Sequence, residues 1–206
     1  MLTKHGVPHT SSKKAMKLTG TILQVKVNLV ESNPLIWRRF LIPADFNLAQ
    51  LHEVIQIVMG WQNKHLYRFE INDQEYGEHE SEFEDEPEVK PASRFTLSDI
   101  ANKAERFGYD YDFGDSWQHE VLIEKSFKYD ETYTYPVCIG GENACPPEDS
   151  GGVPGYKEFL KHMLDEDDGD HLDTKKWVGG FFDPKTFDPN RINQDHLWQK
   201  KWLGHH

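Results

Sequence analysis

The sequence predicts an α+β fold: a mostly antiparallel sheet packed with several helices in a single domain. Three observations carry this. Thr21 to Val30 alternates apolar and polar with period two, Asn47 to Gly60 carries a helical apolar stripe with both caps, and strands and helices mix without a strict βαβ alternation, with hairpins joining strands. At 206 residues the chain is long enough to bury one substantial core.

Taken in order, Met1 to Lys17 reads as a flexible polar tail, and the domain proper is expected over residues 18–203. Thr21, Leu23, Val25, Val27 and Leu29 share one face of the first strand. Ser32-Asn33-Pro34 is a turn signal, and Leu35 to Ile42 returns as a second strand. Asn47 with Gln50 three residues later forms a capping-box pattern. Leu48, Leu51, Val54, Ile55, Val58 and Met59 then fall on one helical stripe that Gly60 ends. Leu66 to Ile71 is a third strand.

Residues 78–91 read as an acidic mobile loop, since they offer little to bury. Thr96 or Ser98 starts a short helix expected to reach Arg106 and stop at Gly108. Tyr109 to Phe113 and Trp117 to Lys125 form a hairpin around Gly114-Asp115-Ser116. Pro136 to Tyr156 holds both cysteines and is rich in proline and glycine, so it reads as a long ordered loop rather than a helix or central strand. Tyr156, Phe159, Leu160, Met163 and Leu164 match helical spacing after it. Asp183-Pro184 and Asp188-Pro189 each look like an N-cap followed by proline, the second opening a final helix toward Trp202.

The net charge of −12 is local. Glu78 to Glu88 carries seven acids and Asp165 to Asp173 six, with no Lys or Arg in either, so the remainder of the chain carries about +1. There is no basic stripe of the kind that phosphate contacts require, which makes nucleic acid an unfavoured partner. No apolar run approaches the roughly 20 residues that span a bilayer, and the N-terminal lysines precede no apolar stretch. No membrane association and a cytoplasmic location are therefore expected.

Several constellations could carry chemistry. A three-residue hairpin loop would pair Phe113 with Trp117, Tyr111 with His119 and Tyr109 with Val121, giving an aromatic face around His119. The other face would set Asp110 across from Glu120 and Asp112 across from Gln118. Opposed carboxylates repel unless water, a basic residue or a cation relieves them. Asp110, Asp112 and Glu120 thus read either as a site for a divalent metal ion or as a solvated outer face. His119 reads either as a base or metal ligand or as a packed structural residue. Cys138 and Cys145, with six residues between them, lack zinc-finger spacing; reduced thiols, a disulfide, or a metal site completed by His119, Asp149 or His162 remain open. Gly151 and Gly152 precede a helix and could cradle an anion, but Glu148 and Asp149 beside them would repel one.

Longer motifs point to a family. Pro34-Leu35-Ile36-Trp37-Arg38-Arg39, Leu51-His52, Met59-Gly60-Trp61 and His65-Leu66 form an N-terminal signature. Tyr111 to His119 forms a central one. Cys145 to Gly152 with Gly155-Tyr156, and Phe182-Asp183-Pro184, complete the set. In this the chain resembles the plasmid pRiA4b ORF-3-like family from about Leu18 to the last helix. The resemblance implies an association with mobile elements and supplies no catalytic residues to carry over.

The reading that follows is a binding or interaction module for a protein or small-molecule ligand. Its working surface is expected where the hairpin meets the Cys/Pro/Gly loop, at Asp112, Asp115, Trp117, His119, Glu148, Asp149, Gly151, Gly152 and Tyr156. The alternative is a metal-dependent hydrolase or nuclease built on Asp110, Asp112, Asp115, Glu120 or His119.

Overall fold

A computed structural model describes residues 20–78 and 88–194. The expected tail, most of the expected acidic loop and the end of the expected helix at Trp202 lie outside the described residues. Among those described, β1 (Thr21–Leu29), β2 (Trp37–Pro43), β3 (Tyr67–Ile71), β4 (Gln74–Gly77), β5 (Lys90–Pro91), β6 (Arg106–Tyr111), β7 (Trp117–Lys128) and β8 (Val137–Glu142) form one sheet. Its order is β5-β4-β3-β6-β7-β1-β2-β8. All neighbours run antiparallel except β4 and β5. The helices are α1 (Leu48–Met59), α2 (Leu97–Ala101), α3 (Gly152–Leu164), α4 (His171–Trp177) and α5 (Pro189–Asn193).

The alternation in β1 does what its pattern requires. Leu23, Val25, Val27 and Leu29 are buried, and Gln24, Lys26 and Asn28 face the other side. Leu51, Val54, Ile55 and Val58 of α1 meet these strands in one core with Tyr156, Phe159 and Met163 of α3. Both capping signals of α1 are realised. Asn47 Oδ1 accepts the Gln50 N–H, Gln50 Oε1 accepts the Asn47 N–H, and Gly60 closes the helix at φ 87°. The outer face of the sheet is polar and paired: Arg39 with Glu124 at 2.7 Å, Arg68 with Asp110 at 3.0 Å, and Arg106 with Glu120.

Several expected elements differ, each for a local reason. The helix after Thr96 stops at Ala101, and Arg106 and Gly108 belong to β6, which pairs with both β3 and β7. Strand β4 follows β3 through a two-residue turn at Asn72 and Asp73, both left-handed (φ 51° and 60°), as a tight hairpin demands. Helix α4 takes up the end of the acidic stretch Asp165 to Asp173, for which no helix is expected from the sequence. Helix α3 begins at Gly152 rather than Tyr156, with Pro154 in its first turn, where its missing donor is harmless. Asp188 caps α5 as expected, whereas Asp183 closes a turn around Lys185 and Thr186.

The first part of the Cys/Pro/Gly segment is a strand after all, and an edge one. Among the described residues β8 pairs only with β2, and the Trp37 ring lies against Gly140, covering the side-chain-poor backbone. On the open side the Asn193 carboxamide accepts the Cys138 N–H and donates to the Cys138 carbonyl, both at 2.8 Å.

Candidate cation-binding site

Three connections converge at one end of the sheet: residues 60–66 after α1, residues 112–116 between β6 and β7, and residues 143–151 between β8 and α3. Trp61 starts the assembly. Its ring stacks on Tyr111 at 5.1 Å and meets His119 edge-on at 5.3 Å, while its Nε1–H donates to the Pro146 carbonyl at 3.0 Å. Tyr111 then joins the first connection to the third: its hydroxyl accepts the Lys64 N–H at 3.0 Å and donates to Glu148. The second Glu148 oxygen accepts the Gln62 N–H at 3.1 Å. Burial and the adjacent Glu148 carboxylate push the Tyr111 phenol well up, so it stays a donor.

Asp112 sets the hairpin. At φ 56° it leaves the strand path, and its Oδ1 accepts the Gly114 and Asp115 N–H groups at 3.0 and 3.3 Å, while its carbonyl accepts the Ser116 N–H at 2.6 Å. The strand therefore ends at Tyr111, which pairs with Trp117, and Tyr109 pairs with His119. The expected register is corrected by two residues: Glu120 opposes Gly108, and Asp110 opposes Gln118. The free Asp112 oxygen turns toward His65, 3.5 Å from its Nε2, and Asp149 Oδ1 lies 3.0 Å from the same nitrogen. One ligand atom from each of His65, Asp112 and Asp149 thus falls within 4.8 Å of the others.

The paired glycines serve this junction. The Asp115 carboxylate accepts the Gly151 N–H at 2.9 Å, occupying a donor that an anion would need. A Cβ on Gly152 would run into the Asp115 carbonyl oxygen, and one on Gly155 into that of Ser150. Gly151 and Gly152 are both left-handed, as is Asp149 (φ 85°, 67° and 59°). The glycines permit backbone to touch backbone; they do not cradle phosphate.

The structure therefore divides the expected site residues. Asp112, Asp115, Glu148, Asp149, Gly151 and Gly152 come together. Trp117, His119 and Tyr156 are buried and belong to the core beneath rather than to an accessible surface. Asp110 and Glu120 are held by Arg68 and Arg106 on the outer face, and His119 points inward from the opposite side of β7, so these do not form one ligand set. Burial pushes the His119 imidazole down to about 4, which keeps it neutral, and its Nδ1 lies 3.2 Å from the Tyr109 carbonyl. Cys138 and Cys145 are not joined in a disulfide. Burial pushes the Cys138 thiol up to about 11, and Cys145 sits against the buried Arg38 guanidinium (3.0 Å) and Met59 Sδ (3.4 Å), apart from the histidine–aspartate cluster.

His65 was not singled out as a ligand by sequence reasoning, although it stands in the signature His65-Leu66. Its placement depends on Gly60 ending α1 and on Asn63 adopting φ 54°, neither of which a spacing rule conveys. One imidazole and two carboxylates suit Mn²⁺, Fe²⁺ or Zn²⁺ better than Ca²⁺, which seeks six to eight oxygens. The Asp149 side chain is 57% exposed, so positions on a bound ion would face solvent. A second group, His162 with Asp168 and Asp170, lies at the far end of α3.

The signature of the plasmid pRiA4b ORF-3-like proteins matches residues 21–191. The uncharacterised protein y4hQ of Sinorhizobium fredii is 37% identical over 163 residues, spanning 79% of this chain and 83% of its own. The crystal structure of MM3350 from Methanosarcina mazei Go1, a protein of unknown function, superposes with a TM-score of 0.75 at 35% identity, covering 84% of this chain and 97% of that one.

Proposed function

The chain belongs to the plasmid pRiA4b ORF-3-like family, and from that premise we propose that it is a binding module whose working site holds a divalent transition-metal ion at His65, Asp112 and Asp149. The observation that carries this is the convergence of three ligand atoms from three separate connections, one of them the buried Asp112, whose second oxygen is committed to backbone donors. Left-handed backbone at Asn63, Asp112, Asp149 and Gly151 accompanies the convergence, and such strain gathers where a site needs it.

The metal-dependent hydrolase reading keeps one observation in its favour. Three protein ligands with an open side is the arrangement that leaves room for a metal-bound water, which a bound Zn²⁺ would make more acidic. Glu148, next to Asp149, already accepts from the Gln62 N–H and the Tyr111 hydroxyl, so binding is the reading we favour.

Calorimetric titration of chelator-treated, polyhistidine-free protein with Mn²⁺, Zn²⁺ and Ca²⁺ tests the proposal. One ion per chain should bind, with Mn²⁺ or Zn²⁺ preferred to Ca²⁺, and binding should vanish in His65→Ala and Asp112→Asn. Absence of heat with all three ions, or heat unaltered in both variants, would overturn it.

A further inference from the structure

Asp149 also forms part of a second feature. A cleft of about 430 Å³ opens between the connection before α3 and helix α4, in the size range of small-molecule sites. Phe159 and Trp177 are among its lining, meeting edge to face at 5.8 Å, and Trp177 is 53% exposed, so much of its indole is left open to an occupant. Asp149, Asp170 and Asp173 stand around it, and the cleft's lining contains no Lys or Arg.

The charges here are incompletely answered. Asp168 is bonded to His162 Nδ1 at 2.7 Å, leaving Asp170 Oδ2 at 3.9 Å from that nitrogen. Asp173, in the first turn of α4, has no hydrogen-bond or ion-pair partner among the described residues. The stretch Asp165 to Asp173 adds further negative potential, with His171 but no Lys or Arg of its own.

These features select a ligand class. An anion would be repelled, and an uncharged ring would leave the carboxylates unanswered. A bare metal ion would make no use of the indole. An alkylammonium satisfies both surfaces, since its methylenes and cationic head favour an aromatic face and its N–H groups favour carboxylates. Carboxylates on two sides of the cleft favour a charge at each end.

We propose that this cleft binds a small aliphatic diamine or oligoamine, its methylene chain along Trp177 and its ammonium groups among Asp170, Asp173 and Asp149. The proposal goes beyond the metal-ion reading and does not require it.

The 206-residue chain, stripped of metal with chelator that is then dialysed away, would be titrated with spermidine, putrescine, n-butylamine and Mg²⁺, following heat and tryptophan fluorescence. Spermidine should bind one per chain, about tenfold or more tighter than n-butylamine. Asp173→Asn and Trp177→Leu should each weaken spermidine by about tenfold, and Asp173→Asn should leave thermal unfolding unchanged, because its side chain is exposed. Equal response to Mg²⁺ and spermidine, or a spermidine affinity unaffected by either substitution, would overturn the proposal in favour of a simple counter-ion atmosphere. The two readings fail separately: His65→Ala should abolish Mn²⁺ binding and spare spermidine, and Asp173→Asn should weaken spermidine and spare Mn²⁺.

Discussion

At the scale of single residues, two positions illustrate opposite kinds of constraint. Gly152 is fixed by space and by torsion together: its φ is +67°, and a side chain would press on the Asp115 carbonyl. Gly152→Ala should therefore destabilise the protein by about 2–4 kcal/mol, measured as a shift of the urea midpoint. His119 is fixed by solvation. Burial holds it neutral until about pH 4, whereas the unfolded chain takes up the proton near 6.5. Between those values the unfolded state binds more protons, so stability falls as pH is lowered through this window and is fully present above it. The loss should total about 3 kcal/mol between pH 7 and 4, and His119→Gln should flatten that part of the profile in denaturation curves taken at each pH. The sequence marks both residues as notable but not why. Gly152 reads as an anion cradle opposed by the acids beside it, whereas the Asp115 contact supplies its reason; His119 reads either as a base or ligand or as a packed residue, and its burial favours the packed one.

At the scale of elements, legibility followed the strength of the local signal. The capping box of α1 is a contiguous pattern, and it appears in the structure at the same residues. Asn47→Ala should cost about 1 kcal/mol, seen as a lower denaturation midpoint with an unchanged slope. Strand β1 and helix α3 were equally open to reading, since periodicity decides them. Strand β4 was not, because its hairpin turn is Asn72-Asp73, a weaker signal than Asn-Gly, and its four residues are too few for a pattern. Helix α4 was hidden by acids that are solvent-facing whether helical or not. The β6–β7 register depended on Asp112 bonding to its own turn, a side-chain choice that alternation alone cannot foresee.

At the scale of the whole molecule, the candidate site exists only because the sheet order places the end of β6, the end of α1 and the start of α3 side by side. The meeting of hairpin and Cys/Pro/Gly segment follows from motif density. The ligand set does not, because His65 and Asp149 are far apart in sequence and are joined by geometry. One remaining feature bears on how the molecule behaves among its own kind. The carboxamide of Asn193 imitates, at a single rung, a strand that the described residues do not place beside β8. Asn193→Ala should leave that rung open to a neighbour's backbone, with higher-order species growing with concentration in light scattering and faster amide exchange at Cys138. If scattering and exchange stay as in the parent, the border is shielded by other means. If they rise, the last short helix acts as a chaperone built into the chain, keeping its flank from templating a fibre.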